Sequence, residues 1–401
     1  MNAQENKPVQ QILIYDPIAF SGGSKKATQN IVNLLTDEPI ELIVVTSNPT
    51  DWQGLKHYHQ CVKLIEPKFL AQAEMGILYF IRHFVLMLQL LIAQARFGQF
   101  DKLLATSGPG VDLAMYWMKK ASCSTAQIIQ LIQGPIAKSK TIAKCLFVAD
   151  RIFYLPSCLK SIEQCLNNYL ERLDNQPKKQ ELLLIFSSKK EAGHLGELNN
   201  GLSQDDWPKD LVTEKTLSQV NIIWTASLLK WKGLDVLLNA LKLFHKDTCP
   251  PTSICYIKPS QTNLAVTKTP IKLTNVRWYE QHPNLHEIRQ HHSVFISTSE
   301  NEPFGLAILE AMATGLLVMI PSDGAYWDQV LTHNENCIKY KPNNPVDLKI
   351  QIDRLVEHPE LIAGIAKGGL QVAQAYQAEK TYRPIADQLA QPVFSPATVP
   401  Q

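Results

Sequence analysis

The chain lacks any C-x-x-C pair. Its eight cysteines are Cys61, Cys123, Cys145, Cys158, Cys165, Cys249, Cys255 and Cys337, most of them in apolar contexts. That argues against a disulfide framework or a zinc site and suits reduced thiols in a cytoplasm. It also lacks a charge excess. The formal net charge is +2, so nothing drives it electrostatically towards nucleic acid. Residues Met1 to Gln11 are polar and hold no apolar h-region, so no signal peptide is expected. No short internal repeat stands out, and no D-x-D occurs anywhere. A clean membrane-spanning run is missing too. The nearest, Ile77 to Phe97, contains Arg82, His83, Gln89, Gln94 and Arg96. It reads either as a buried or half-buried helix of an α/β domain or as a monotopic surface helix.

What is present is enough apolar material, 45% of 401 residues, for two or three domains with full cores. The most informative stretch is Val294 to Pro321. Val294 to Ile296 is too short and too β-branched for a helix and reads as a strand. Ser297 to Pro303 is polar, with Pro303 a candidate helix start. Leu306, Leu309 and Met312 recur at helical spacing, Gly315 stops the helix, and Leu316 to Ile320 is a second buried strand.

Two carboxylates punctuate this unit. Glu302 lies in the loop and Glu310 on the helix, with seven residues between them. Between the acids, Phe304, Gly305, Leu306 and Ala307 present backbone N–H groups at a helix N-terminus, where an anion is favoured. Gly305 has no side chain to keep a phosphate away. A loop acid, an amide cradle and a helical acid together suit a nucleotide sugar. One acid would meet sugar hydroxyls, the cradle the diphosphate, and the other acid a ribose diol.

Glu302-Pro-Phe-Gly followed by Glu310-Ala-Met-Ala-Thr-Gly resembles the E-x7-E signature of glycosyltransferase family 4, retaining enzymes of the GT-B fold. A second segment, Thr225 to Ala240, resembles that family's "GRL…KG" motif, with Lys232 on its lysine and Gly233 on its glycine. A lysine there would neutralise the leaving diphosphate. Ser227 stands where the family usually has arginine and supplies a neutral hydrogen bond instead of a fork; Lys230 is the expected substitute. Pro321 to Asp328 resembles the family's "GG..E" loop, with Asp328 in place of glutamate. The missing D-x-D argues against the GT-A class, which holds the diphosphate through a metal, so neither metal nor cofactor is expected.

The first half is sparser. Ile12 to Tyr15 reads as a strand, then comes a loop with Gly22 and Gly23, and then a helix from about Ala27. The resemblance implies that Gly22 and Gly23 approach the donor phosphates or the acceptor. Gln133 follows the strand Ile128 to Ile132, where the family commonly has a histidine facing the donor sugar. Glutamine can hydrogen-bond but cannot carry a proton at neutral pH. Leu182 to Phe186 is a candidate strand, residues 189–218 a linker, and Gln374 to Leu389 a helix crossing back to the first domain.

The alternation of strands and helices implies an α/β fold of two doubly wound, Rossmann-like domains facing across a cleft. The expected division is 1–188 on the acceptor side, 219–373 for the donor, and 374–401 for the returning helix and tail. The resemblance implies a retaining hexosyltransferase that uses a nucleoside-diphosphate sugar and a lipid-linked or growing glycan acceptor in cell-envelope synthesis. It would work in the cytoplasm, in peripheral contact with the inner face of the membrane, with no nucleic-acid partner. Two alternatives stay open: a non-catalytic relative binding within a glycan assembly complex, and an epimerase acting on a nucleotide sugar.

Overall fold

The computed structural model describes residues 9–20, 22–35, 39–57, 59–71, 73, 75–259 and 264–392. Ser21 of the glycine loop and most of the C-terminal tail lie outside the described residues. The chain divides into two units: the described residues up to Asn199 together with those from Thr381 form the first, and Asn200–Lys380 forms the second.

The first unit is a parallel sheet. Its strands are β1 (Gln10–Asp16), β2 (Ile40–Thr46), β3 (His59–Lys63), β4 (Lys102–Ala105), β5 (Gln127–Ile132), β6 (Arg151–Tyr154) and β7 (Leu195–Glu197), in the spatial order 3-2-1-4-5-6-7. β1 pairs with β2 on one side, Ile12 against Leu42, and with β4 on the other, Ile12 against Lys102. Strands buried on both faces read as continuous apolar runs, as Ile12 to Tyr15 and Leu42 to Val45 do. The strand order reverses at β1, which puts the helices before and after that point on opposite faces.

The second unit repeats the plan with β8 (Ile222–Ser227), β9 (Thr252–Ile257), β10 (Val276–Glu280), β11 (Val294–Ile296), β12 (Leu317–Pro321) and β13 (Ile338–Tyr340), ordered 10-9-8-11-12-13 and again parallel. Its core joins Ile222, Trp224, Leu237 and Leu241 to Val294, Ile296, Leu317, Met319 and Leu348, all buried. The order reverses between β8 and β11.

Several expectations need correction. Leu182 to Phe186 is not a strand but part of helix Gln176–Glu191. A short apolar run does not distinguish the two, and here Asn175 caps the helix by accepting the Lys178 N–H. The 189–218 stretch is not one linker. Leu195–Glu197 pairs with β6 in the first sheet. From residue 200 the backbone is tied into the second unit, where Leu202 N–H donates to Tyr376 O and Val212 N–H to Thr314 O. The helix expected over Gln374 to Leu389 is two pieces, Ala378–Thr381 and Arg383–Ala390, because Pro384 fits only at a helix start. The second piece packs on helix Gly23–Asn33, and the buried Lys102 ammonium donates to Gln388 O (2.6 Å) and Leu389 O (2.9 Å) at its end.

Candidate active site

In open parallel sheets, ligands sit beyond the carboxyl ends of the strands where the order reverses. In the second unit that point lies between β8 and β11, and the two motif loops follow those strands. They are tied together. Trp224 Nε1 donates to Thr298 Oγ1 (2.9 Å), Thr298 Oγ1 donates to Lys232 O (2.9 Å), and Glu300 N–H donates to Trp231 O (2.9 Å). Gly233 is in the left-handed region at φ +69°, and a Cβ there would stand 1.9 Å from Thr298 O. Only glycine lets the loops approach this closely.

That approach carries Lys232 Nζ to 2.5 Å from Glu302 Oε2, with the ammonium 4.0 Å above the Trp231 ring. Both side chains are mostly buried, at 19% and 15% exposed. Three residues beyond Glu302, Gly305 turns with φ +84°, so the helix begins at Leu306 and not at Pro303 as expected. Phe304 is buried against Tyr326, Trp327 and Tyr376, and Trp327 Nε1 donates to Gly305 O (3.2 Å). The loop is therefore fixed from beneath. Ile308 and Leu309 donate to Gly305 O, which leaves Leu306 and Ala307 as the helix-leading N–H groups with no intrahelical acceptor ahead of them.

Glu310, inside the same helix, pairs with Arg289 of helix Leu285–Gln290. Arg289 is only 6% exposed, and its Nε has no hydrogen-bond partner among the described residues. Arg289 escaped the sequence reading because no local spacing links it to a residue 21 positions on; only the packing of two helices does. Ser227 ends β8. Lys230 does not join the Lys232–Glu302 pair, since its ammonium lies 2.5 Å from Asp235 on an exposed edge. Asp328 closes its own turn: burial works to raise its carboxyl, but the Lys339 ammonium and the Gly324 N–H outweigh it and hold the group below the usual range. Ser297, Ser299, Glu302, Ile308, Trp327 and Asp328 line a recess here.

The first unit builds its own recess at the reversal between β1 and β4, lined by Asp16, Phe20, Ser24, Lys25, Thr106 and Ser107. Gly22 caps helix Gly23–Asn33 with φ −157°, an extended backbone open to any residue. Lys25 in the first turn is buried and lies 3.1 Å from Asp16 and 2.7 Å from Asp51. Asp16 also accepts from Thr46 Oγ1 (2.9 Å) and Trp52 Nε1 (2.8 Å). This cluster was not foreseen, because its members come from successive strand–helix units. Gln133 reaches the same helix: its Nε2 donates to Ser24 O (3.1 Å) and Thr28 Oγ1 (3.3 Å). Below the recess, Asp112 is completely buried; burial pushes its carboxyl up to about 7, against hydrogen bonds from Gln130 and Ser107.

Residues 212–371 match the family model for glycosyl transferases group 1. No curated protein matches the sequence. Among solved structures, HepE of Anabaena in complex with UDP and glucose is similar at a TM-score of 0.66 and 14% identity, over 95% of this chain and 99% of that one. Sucrose-phosphate synthase from Thermosynechococcus elongatus is similar at 0.61 and 14%, over 95% and 98%. The lipopolysaccharide outer core galactosyltransferase WaaB is similar at 0.59 and 13%, also over 95% and 98%. These likenesses establish the fold as GT-B, two Rossmann-like units each built on a parallel sheet.

Proposed function

We propose that this GT-B chain is a retaining, metal-independent glycosyltransferase that moves a sugar from a nucleoside-diphosphate sugar to a lipid-linked or growing cell-envelope glycan. The observation that carries the reading is the Lys232–Glu302 pair beside the N-terminus of helix Leu306–Thr314, at the β8/β11 reversal, within the segment that matches the group 1 model. Phosphate oxygens would be held by the Leu306 and Ala307 amides and by Lys232, which stabilises the charge developing on the leaving diphosphate. Glu302 would take sugar hydroxyls and Glu310 the ribose diol. In the transfer, the bond from the anomeric carbon to the phosphate oxygen breaks, and the acceptor oxygen bonds to the same face. The acceptor's proton passes to the departing phosphate.

UDP is the nucleotide suggested by the HepE complex, and an envelope acceptor by WaaB, a lipopolysaccharide outer core galactosyltransferase. The acceptor would use the first unit, near Gly22 and Gly23. One observation favours the non-catalytic alternative: the Gln133 amide is taken up by Ser24 and Thr28, a structural use of a side chain that replaces a titratable one. Calorimetry with UDP, followed by a UDP-sugar turnover assay, separates the two. Binding with steady release of UDP supports the transferase, binding without release supports the non-catalytic relative, and no binding of any nucleoside diphosphate removes both.

A further inference from the structure

Helix Gly76–Phe97 is apolar on its exposed face as well as on its buried one. The stripe at Ile77, Ile81, Phe84, Leu88 and Ile92 follows helical spacing and is exposed throughout, from 42% at Leu88 to 78% at Ile77. The opposite face, which packs on helix Leu113–Ala121, buries Leu86, Met87, Leu90 and Ala93 together with His83 and Gln94. Ile65 and Phe69, both 72% exposed, lie beside it, with Gln89 hydrogen-bonded to the Ile65 backbone. Met75, at 83%, caps its start. A contiguous apolar face of this kind marks an interaction surface.

By length and composition the helix could cross a bilayer, with a mean hydropathy of 1.8. Its place between β3 and β4 of one sheet holds its inner face in the core, and Arg82 is paired with Glu66 at 2.6 Å. It therefore lies along a surface and does not span one.

We propose that this face docks the first unit onto an anionic lipid bilayer. Charge and position select that occupant. Lys63 and Lys68 flank the apolar patch and are exposed, and Lys138 and Lys140 stand exposed at the start of a helix on the same side of the sheet. Between residues 59 and 97 the only acids are Glu66, bound to Arg82, and Glu74, outside the described residues. Residues 1–199 carry 21 Lys and Arg against 17 Asp and Glu. The patch begins where the acceptor would arrive: Tyr79 Oη donates to Gly110 O (2.6 Å), in the loop that follows β4 and carries Ser107 of the recess. The inference rests on the lipid-linked acceptor of the proposed function and supplies its means of approach.

The test is flotation of the full chain with phosphatidylglycerol–phosphatidylcholine vesicles and with phosphatidylcholine alone. The chain should float with the anionic vesicles. Ile81→Glu with Phe84→Glu should lower binding at least tenfold with an unchanged melting temperature, and Lys63→Glu with Lys68→Glu should lower it on anionic vesicles only. No flotation of the parent chain, or equal flotation of the Ile81/Phe84 variant, overturns the proposal. So does a parent dimer in sedimentation that this variant dissociates without any vesicle binding, which would make a second copy the occupant. UDP affinity is measured in parallel. Vesicle binding without UDP binding sinks the transferase reading and keeps the docking; UDP binding without vesicle binding does the reverse.

Discussion

Lys232 Nζ and Glu302 Oε2 are 2.5 Å apart although seventy positions separate them in the chain. Both side chains are mostly buried, and Glu302 lies in the loop that leads into helix Leu306–Thr314. In the proposed function, a diphosphate reaching the helix tip would take over the ammonium and release Glu302 to the sugar.

Lys232→Ala should slow sugar transfer by ~10²-fold, as expected when a group that stabilises leaving-group charge is removed. UDP release under saturating donor measures it. An unaltered rate would leave Lys232 a structural partner of Glu302 and nothing more.

Glu310→Ala should weaken UDP binding by about tenfold to a hundredfold in calorimetry, the range for losing a charge-assisted hydrogen bond. Arg289→Met should weaken it less, because Glu310 keeps its carboxylate but loses the guanidinium that orients it. Equal affinity in parent and Glu310→Ala would remove the ribose role.

Gly233→Ala should cost roughly 2–4 kcal/mol, combining the left-handed backbone with a clash that cannot relax cheaply. The obstacle is the Thr298 carbonyl, 1.9 Å from the added carbon. The midpoint of urea unfolding reads this directly. Because the same contact sets the Lys232–Glu302 approach, residual activity should fall along with stability.

Asp112 predicts a dependence on pH. Burial raises its folded carboxyl from 3.8 to about 7. The folded state therefore holds a proton that the unfolded chain gives up, and this group's contribution to stability is full below about 4 and lost as pH rises towards 7. Asp112→Asn keeps an oxygen for the Ser107 N–H and Gln130 Nε2 but does not titrate. Its melting temperature should gain on the parent's as pH goes from 5 to 8. A constant difference across that range would show that Asp112 does not titrate in the folded protein.

How far the sequence could be read depended on how local the determining contacts are. The strand–loop–helix–strand run from Val294 to Pro321 was legible because most of its signals act within a few residues: a β-branched run, a glycine that stops the helix, and two acids at fixed spacing; only the helix start was misplaced, at Pro303, because the turn is made by Gly305. Leu182 to Phe186 misled because an apolar run of that length suits a strand and a helix equally, and the cap at Asn175 decided it. Lys230 looked like a substitute for the missing arginine by sequence distance, yet its side chain turned to Asp235, which is nearer in space.

The sequence alone determined the repeating order of strands and helices, the parallel sheets that this order requires, and the candidate phosphate-binding tip at Gly305, since periodicity and glycine placement are properties of neighbouring residues. The tertiary structure alone decided that Glu310 faces Arg289, that Lys25 is buried between Asp16 and Asp51, and that the apolar stripe from Ile77 to Ile92 faces outward. Each of these depends on which elements pack side by side, and a side chain's partner or solvent exposure is fixed only when distant segments meet.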